Sequence, residues 1–222
     1  QMPVITEEAV AEMEEMLGLN KPFLVRYFDW VLGCLRGDFG ISYVNPARTV
    51  AGELARCLPA TLQLAAASFV IVLVLSIPIG FLCAVYKDQW FDKLMRGLVF
   101  VTTAMPAYWV GLLLMWLVSV KLGLLPTNGS GTFRHLILPA FTVALSYIST
   151  YIRLIRNNML ENMKQDYVLY ANVRGLPQQS IWVKHVLKNS MHTCIVAMGM
   201  SIPQMIAGTI VVENVFSWPG LG

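Results

Sequence analysis

The chain has 222 residues, of which 56% are hydrophobic and only 13% charged, roughly half the charge a soluble domain usually carries. With a mean hydropathy of +0.60, this excludes a soluble globule, a disordered chain and a nucleic-acid-binding protein, and it points to a polytopic membrane protein. Sixteen Lys and Arg against 13 Asp and Glu leave a net charge of +3, too little to define a polyanionic partner, so where the charges sit matters more than their sum.

The first 61 residues carry eight acidic and five basic side chains and read as an external segment. Thr6 can cap a short helix, with Glu7 and Glu8 favoured by the dipole in its first turn and Gly18 after its last. Val10, Met13 and Leu17 share one face of it, against an acidic face of Glu8, Glu12 and Glu15 that is the wrong charge for anionic lipid. The helix reads as the cap of an external subdomain or as a docking site. Asp38-Phe-Gly-Ile-Ser42 reads as a turn back toward the membrane, and Leu58-Pro-Ala-Thr61 as the start of the first span, with proline in the first turn. Cys34 and Cys57 could pair only if this segment is extracytoplasmic, whereas Cys83 and Cys194 lie in apolar runs and read as small buried hydrophobes. The chain opens on Gln1 with no basic, apolar leader, so residues are expected to precede it.

Four uncharged runs follow: Leu62 to Val85, Gly97 to Val120, Leu136 to Ile152 and Thr193 to Val212, of 24, 24, 17 and 20 residues. A hydrocarbon core about 30 Å thick needs roughly 20 helical residues, so each can span, the third by extending through Arg153. Pro78, Pro106 and Pro203 fall inside these runs and are expected to bend helices rather than end them. Lys87, Lys93, Arg96, Arg153, Arg156, Lys164, Arg174, Lys184 and Lys188 fall in two connections, which places both in the cytoplasm. Both ends of the chain then lie outside, and one further helix at each end, six in all, would return the termini to the cytoplasm.

The segment from Arg153 to His192 is too long for a plain connection and has helical pattern. Asp166 can cap a helix Tyr167 to Val173, Gly175-Leu176-Pro177 breaks it, and a second helix, Gln178 to Ser190, presents Ile181, Trp182 and His185. Ala171 and Gly175, four apart, permit close backbone approach. The pair reads equally as a rigid projection for a partner's groove or as an elbow on the membrane surface.

No nucleotide-binding loop, zinc-protease helix or serine-hydrolase elbow occurs, and no ionisable residue lies within the four runs. A proton- or sodium-coupled carrier usually has such residues as its relay. A passive pore, a structural anchor, or a pump whose motor is another polypeptide remain.

Asp166-Tyr-Val-Leu-Tyr-Ala-Asn-Val-Arg-Gly-Leu176, followed by His185-Val-Leu-Lys-Asn189, resembles the EAA loop of binding-protein-dependent ABC importer permeases in the form found in the dipeptide, oligopeptide and nickel branch. The stretch Val212 to Gly222, Leu58-Pro-Ala-Thr61 and Arg153-Leu-Ile-Arg156 fit the same branch. Departures are Leu169 and Tyr170 at the first two positions of the broad motif, and Thr193 where a proline usually closes the loop. The resemblance implies an all-α, polytopic transmembrane helical bundle of the type I ABC importer permease kind, with four of its six spans visible. It divides into the external segment 1–61 and a permease domain 62–222, whose coupling loop covers about 157–190. It further implies a multi-pass protein of a prokaryotic inner membrane, surrounded by lipid and binding no nucleic acid. The partners implied are a homologous second permease completing a heterodimer, two ABC ATPase subunits that bind ATP and Mg, and an external solute-binding protein. The chain itself is then neither an enzyme nor the holder of a cofactor or metal. Asp166, Tyr167, Ala171, Arg174, Gly175 and Leu176 would be its ATPase-coupling residues.

Ala197, Ser201, Gln204 and Gly208 form a small and polar stripe on one helical face, a candidate lining for the pathway or a packing face for the second permease. Met191, Met198 and Met205 recur every seven residues above His192 and read as core packing ahead of a metal ladder. The loop Leu125 to Pro139 and the pair Glu213-Asn214 look more like the nickel members, which leans the cargo toward nickel or a nickel chelate, with di- or oligopeptides as the other candidate.

Overall fold

The computed structural model describes residues 19–42 and 48–222. The helix expected from Thr6 lies outside the described residues. The chain forms two compact units, 1–56 and 57–222.

In the first unit, α1 (Phe23–Leu35) follows Pro22 and buries none of its residues. It ends in a turn where the Asp38 N–H returns to the Gly33 carbonyl at 2.9 Å. The Asp38 carboxylate then accepts the Gly40 N–H at 2.9 Å, and Ile41 pairs with Thr49 in a single antiparallel bridge. The Asp38 to Ser42 stretch is thus the turn its sequence suggests, held by an aspartate that mimics a backbone acceptor.

The second unit is built from long helices. α2 (Val50–Val85) begins well before its uncharged run and carries both Pro59 and Pro78 inside it, so Pro59 does not open the helix as expected. α5 (Phe133–Asn162) carries Pro139, and α7 runs without interruption over Gln178–Phe216 with Pro203 within it. These three are long and apolar enough to cross a membrane. The run Gly97 to Val120 departs from the expected single span: it forms α3 (Trp90–Ala104) and α4 (Ala107–Lys121), bent by 109° at Met105-Pro106.

The cause is local. Proline pushes the residue before it out of the helical region, and Met105 (φ −98°, ψ 134°) and Pro106 (φ −62°, ψ 140°) are both extended. Thr102 and Thr103 stabilise the truncated end by donating to the carbonyls of Leu98 at 2.9 Å and Val99 at 2.7 Å. Broken backbone at membrane depth persists only where protein or a water-filled cavity covers it, so this break marks a place that is not facing lipid.

α5 is the axis of the unit. Leu138, Val143, Ala144, Ile148, Tyr151, Ile152, Ile155 and Met159 are buried along it against Val72 and Cys83 of α2 and Cys194, Met198, Met205, Val212 and Phe216 of α7. Both neighbours α3 and α7 run antiparallel to it, as Thr102 with Ser149 (2.5 Å) and Asp92 with Arg156 (2.6 Å) record for α3, and Ser201 with Tyr151 (2.6 Å) and Cys194 with Asn158 (3.4 Å) for α7. The α2–α3 connection, the end of α5 and the start of α7 therefore share one end of the bundle, where the nine basic residues also collect. The methionines at 198 and 205 are core side chains.

At the opposite end, the chain after α7 is tied to the start of the first span. Trp218 Nε1 donates to the Ala60 carbonyl at 2.9 Å, and the Leu221 N–H to the buried Thr61 hydroxyl at 2.9 Å. The Glu213 carboxylate is buried but fully employed, accepting from Thr209 Oγ1 at 3.0 Å and the Gly222 N–H at 2.8 Å. A Cβ on Gly220 would overlap that carboxylate, which explains the glycine after Pro219.

Candidate functional site

Two places combine exposure with order. At the basic end, α6 (Asp166–Val173) is preceded by Gln165, which makes no side-chain cap, so Asp166 is its first residue rather than its cap. The acid still lies in the first turn, where the helix dipole favours it. The end is well made: Gly175 sits at φ +75°, and the Leu176 N–H closes on the Ala171 carbonyl at 3.2 Å, a left-handed stop that glycine takes without strain. Two side-chain bonds fix the helix to its surroundings, Tyr167 Oη to Asn162 Oδ1 at 2.9 Å and Gln178 Nε2 to Asn172 Oδ1 at 2.6 Å.

Val168 and Ala171 pack inward, into the core shared with α5 and α7. Ala171 therefore supports the helix from beneath. The outward face is Leu169, Tyr170 and Val173, 65%, 64% and 78% exposed, with the Arg174 guanidinium 5.6 Å from the Tyr170 ring centroid. Asp166, Arg174, Gly175 and Leu176 flank it and are exposed, and Tyr167 is half-buried. Leu169 and Tyr170, the departures from the broad motif, are thus two of the three apolar side chains presented. The stretch Gln178 to Ser190 is not a separate helix. It is the first part of α7, with a wide, π-helical turn over Ile181–Leu187, and Ile181 is buried rather than displayed.

The second place runs along α5. Between His135 and Asn162 its exposed residues are Ser146, Thr150, Arg153, Asn157 and Glu161, all polar and spaced four, three, four and four apart, which is one face of a helix. A spanning helix facing lipid would present apolar side chains there. Ser146 and Thr150 border a cavity of about 360 Å³ together with Ser201, Gln204 and Gly208 of α7 and Ala107 of α4. Ala197 is not among its walls; its carbonyl accepts from the Tyr151 hydroxyl at 3.3 Å. Arg153 and Asn157 border a second cavity of about 550 Å³ with Arg96, Thr103 and Ala104 of α3. The break at Met105-Pro106 falls between the two. The α5 face escapes a reading based on uncharged runs because Ser and Thr interrupt no hydropathy window and Arg153 counts among the basic residues of the cytoplasmic connection.

A family profile described as a binding-protein-dependent transport system inner membrane component matches residues 76–222. The chain is 36% identical over 220 residues to the metal-staphylopine import system permease protein of Staphylococcus aureus, covering 99% of this chain and 70% of that one. It is 36% identical over 230 residues to an oligopeptide transport system permease protein of Bacillus subtilis (99% and 73% covered) and 34% identical over 220 residues to a glutathione transport system permease protein of Salmonella typhimurium (99% and 72%). The chain belongs to the binding-protein-dependent ABC importer permeases. Within them it falls in the peptide and nickel branch.

The permease is accordingly a multi-pass inner-membrane protein and the translocation component of an importer, as α2, α5, α7 and the bent pair α3–α4 allow. Membership favours a machine of several subunits over a motor-independent channel or a structural anchor. Among the described residues no group of three or more His, Cys, Asp or Glu could hold a metal ion, and His192 is exposed. All four cysteines, Cys34 and Cys57 included, are free thiols.

Proposed function

We propose that this permease forms one half of a heterodimeric pathway, completed by a homologous permease and driven by two ATPase subunits that bind ATP and Mg, with an external solute-binding protein supplying the cargo. The cargo is an oligopeptide or a small metal chelate, nickel chelates included, in keeping with the peptide, glutathione and metal-staphylopine systems named for its relatives. The observation that carries this reading is the polar face of α5, met across the outer cavity by Ser201 and Gln204. Such a face has no place against hydrocarbon and suits a wet path between two subunits. The neutral side chains around that outer cavity, Ser146, Thr150, Ser201 and Gln204, would bind weakly, as a path that must release its cargo requires.

The outward face of α6, with Asp166, Tyr167, Arg174, Gly175 and Leu176 around it and Ala171 beneath, is proposed as the contact that transmits ATPase closure. Its apolar side chains would fill a groove, while Gly175 and the Tyr167–Asn162 bond keep the helix rigid relative to α5. Co-purification of the full-length chain with two ATPases and a second permease, with hydrolysis stimulated by cargo-loaded binding protein, tests the proposal. Conduction of cargo into vesicles without ATP would refute it.

A further inference from the structure

The polar face of α5 changes character along its length. Ser146 and Thr150 are neutral, whereas Arg153 and Asn157 stand in the larger cavity beside Arg96 and Arg156. The three guanidiniums there are not equivalent. Arg156 is committed to Asp92 by a bidentate pair at 2.6 and 2.7 Å. Arg96 lies 3.6 Å from Asp92 and 3.5 Å from Asp88. Arg153 has no ion-pair or hydrogen-bond partner among the described residues. Asp88 also meets Lys87 at 3.9 Å, so two acids answer four cations, and the cation among them with no such partner, Arg153, is exposed into the cavity. Glu161, the next acid on that face, is two helical turns further on, about 12 Å along the axis.

An arginine next to a hydrocarbon-spanning stretch is costly unless it has an anion or water to meet. The bidentate pair next to it holds the cavity wall in place, so the guanidinium of Arg153 is presented on a fixed frame. Asn157, one turn on, offers an amide donor to the same space. We propose that the 550 Å³ cavity is an anion-selective stage of the pathway, in which Arg153 receives a carboxylate of the cargo and Asn157 donates a second hydrogen bond to it. The substrate class is then a solute carrying at least one free carboxylate, such as a peptide C-terminus or a chelate built from carboxylates. This rests on the reading of the α5 face as the pathway.

The test uses the full-length permease in its complete importer, reconstituted in zwitterionic bilayers, with Thr103→Cys as a probe inside the cavity and Thr150→Cys as a probe of the path. Small anionic and cationic methanethiosulfonates of similar size are compared, and the chain without an added cysteine, whose Cys83 borders the cavity but is buried, supplies the background. With Arg153 present, the anionic reagent is expected to react at Thr103→Cys about three- to tenfold faster than the cationic one, the effect of a local positive potential. Arg153→Gln should bring that ratio to about one, and Arg153→Lys should keep it. If neither cysteine reacts with either reagent at any stage of the ATP cycle, the face is not water-lined and the pathway reading itself fails. If both react but the ratio is indifferent to Arg153→Gln, the pathway stands and the role given to Arg153 is overturned. A preference that disappears when anionic lipid is added would assign the cavity to a lipid phosphate and also overturn the proposal.

Discussion

Replacing Asp92 by alanine is expected to be among the most damaging single changes in the second unit. The Asp92 side chain is 0% exposed and that of Arg156 13%, and the carboxylate also accepts the Asp88 N–H at 3.0 Å. Removing one member of a buried pair costs about 3–5 kcal/mol, because the other charge stays buried without an answer. Arg156 borders the larger cavity and can draw water from it, which argues for the lower end, about 3 kcal/mol. Loss of the acceptor for Asp88 adds about 1 kcal/mol, while the exposed Arg96 contributes little. The sum, roughly 4 kcal/mol, is close to a thousandfold in the folded ratio at about 1.4 kcal/mol per decade. Thermal unfolding of the detergent-purified protein, followed by loss of the monodisperse peak, measures it for Asp92→Ala, Arg156→Met and the double variant. The two singles should each be severe, and the double should recover most of the loss because no unpaired charge remains. If the losses simply add in the double, or if Asp92→Ala melts with the parent, the pair does not hold α3 to α5 and the reasoning is wrong.

Gly175→Ala should strain the end of α6 by about 1 kcal/mol, since an L side chain is disfavoured at φ +75°; Gly175→Asn should be milder. Gly175→Arg should reach the membrane yet lose transport and stimulated ATP hydrolysis, measured in the reconstituted importer, and intact transport would count against the role given to α6. Gly220→Ala should displace the segment after α7 because a Cβ there meets the Glu213 carboxylate, read out as a changed Trp218 environment or faster proteolysis near residue 219. Tyr151→Phe removes the bonds to Ser201 Oγ and the Ala197 carbonyl and should cost about 1 kcal/mol of stability in the same unfolding assay, while leaving α6-dependent ATP hydrolysis intact.

The spanning helices were legible because charge exclusion over 17 or more residues is a strong one-dimensional signal, and α6 was legible because its stop is written in Gly175-Leu176-Pro177. What failed was whatever depends on neighbours. Pro78 and Pro203 stay inside helices and Pro106 does not: each disfavours a helical residue before it, and the sequence does not say at which of them the chain yields. Gln178 to Ser190 looked separate because its basic residues ended the uncharged run, although a helix can leave the apolar layer without ending. The inward turn of Ala171 and the outward one of Leu169 are a matter of which face α5 and α7 cover. The polar face of α5 is written in the sequence at helical spacing, but only the burial of every other face gives that spacing meaning.

The bonds from Trp218 to Ala60 and from Leu221 to Thr61 join positions 158 and 160 residues apart. At a synthesis rate of about 5–20 residues per second, roughly 8–32 s pass between the emergence of one partner and the other. Throughout that interval the head of the first span has its Ala60 carbonyl and Thr61 hydroxyl exposed to whatever surrounds the growing chain. The fold's outer closure is thus a late event by construction, and the early spans must persist in the bilayer on their own apolar length until α7 and the segment after it arrive to make these bonds.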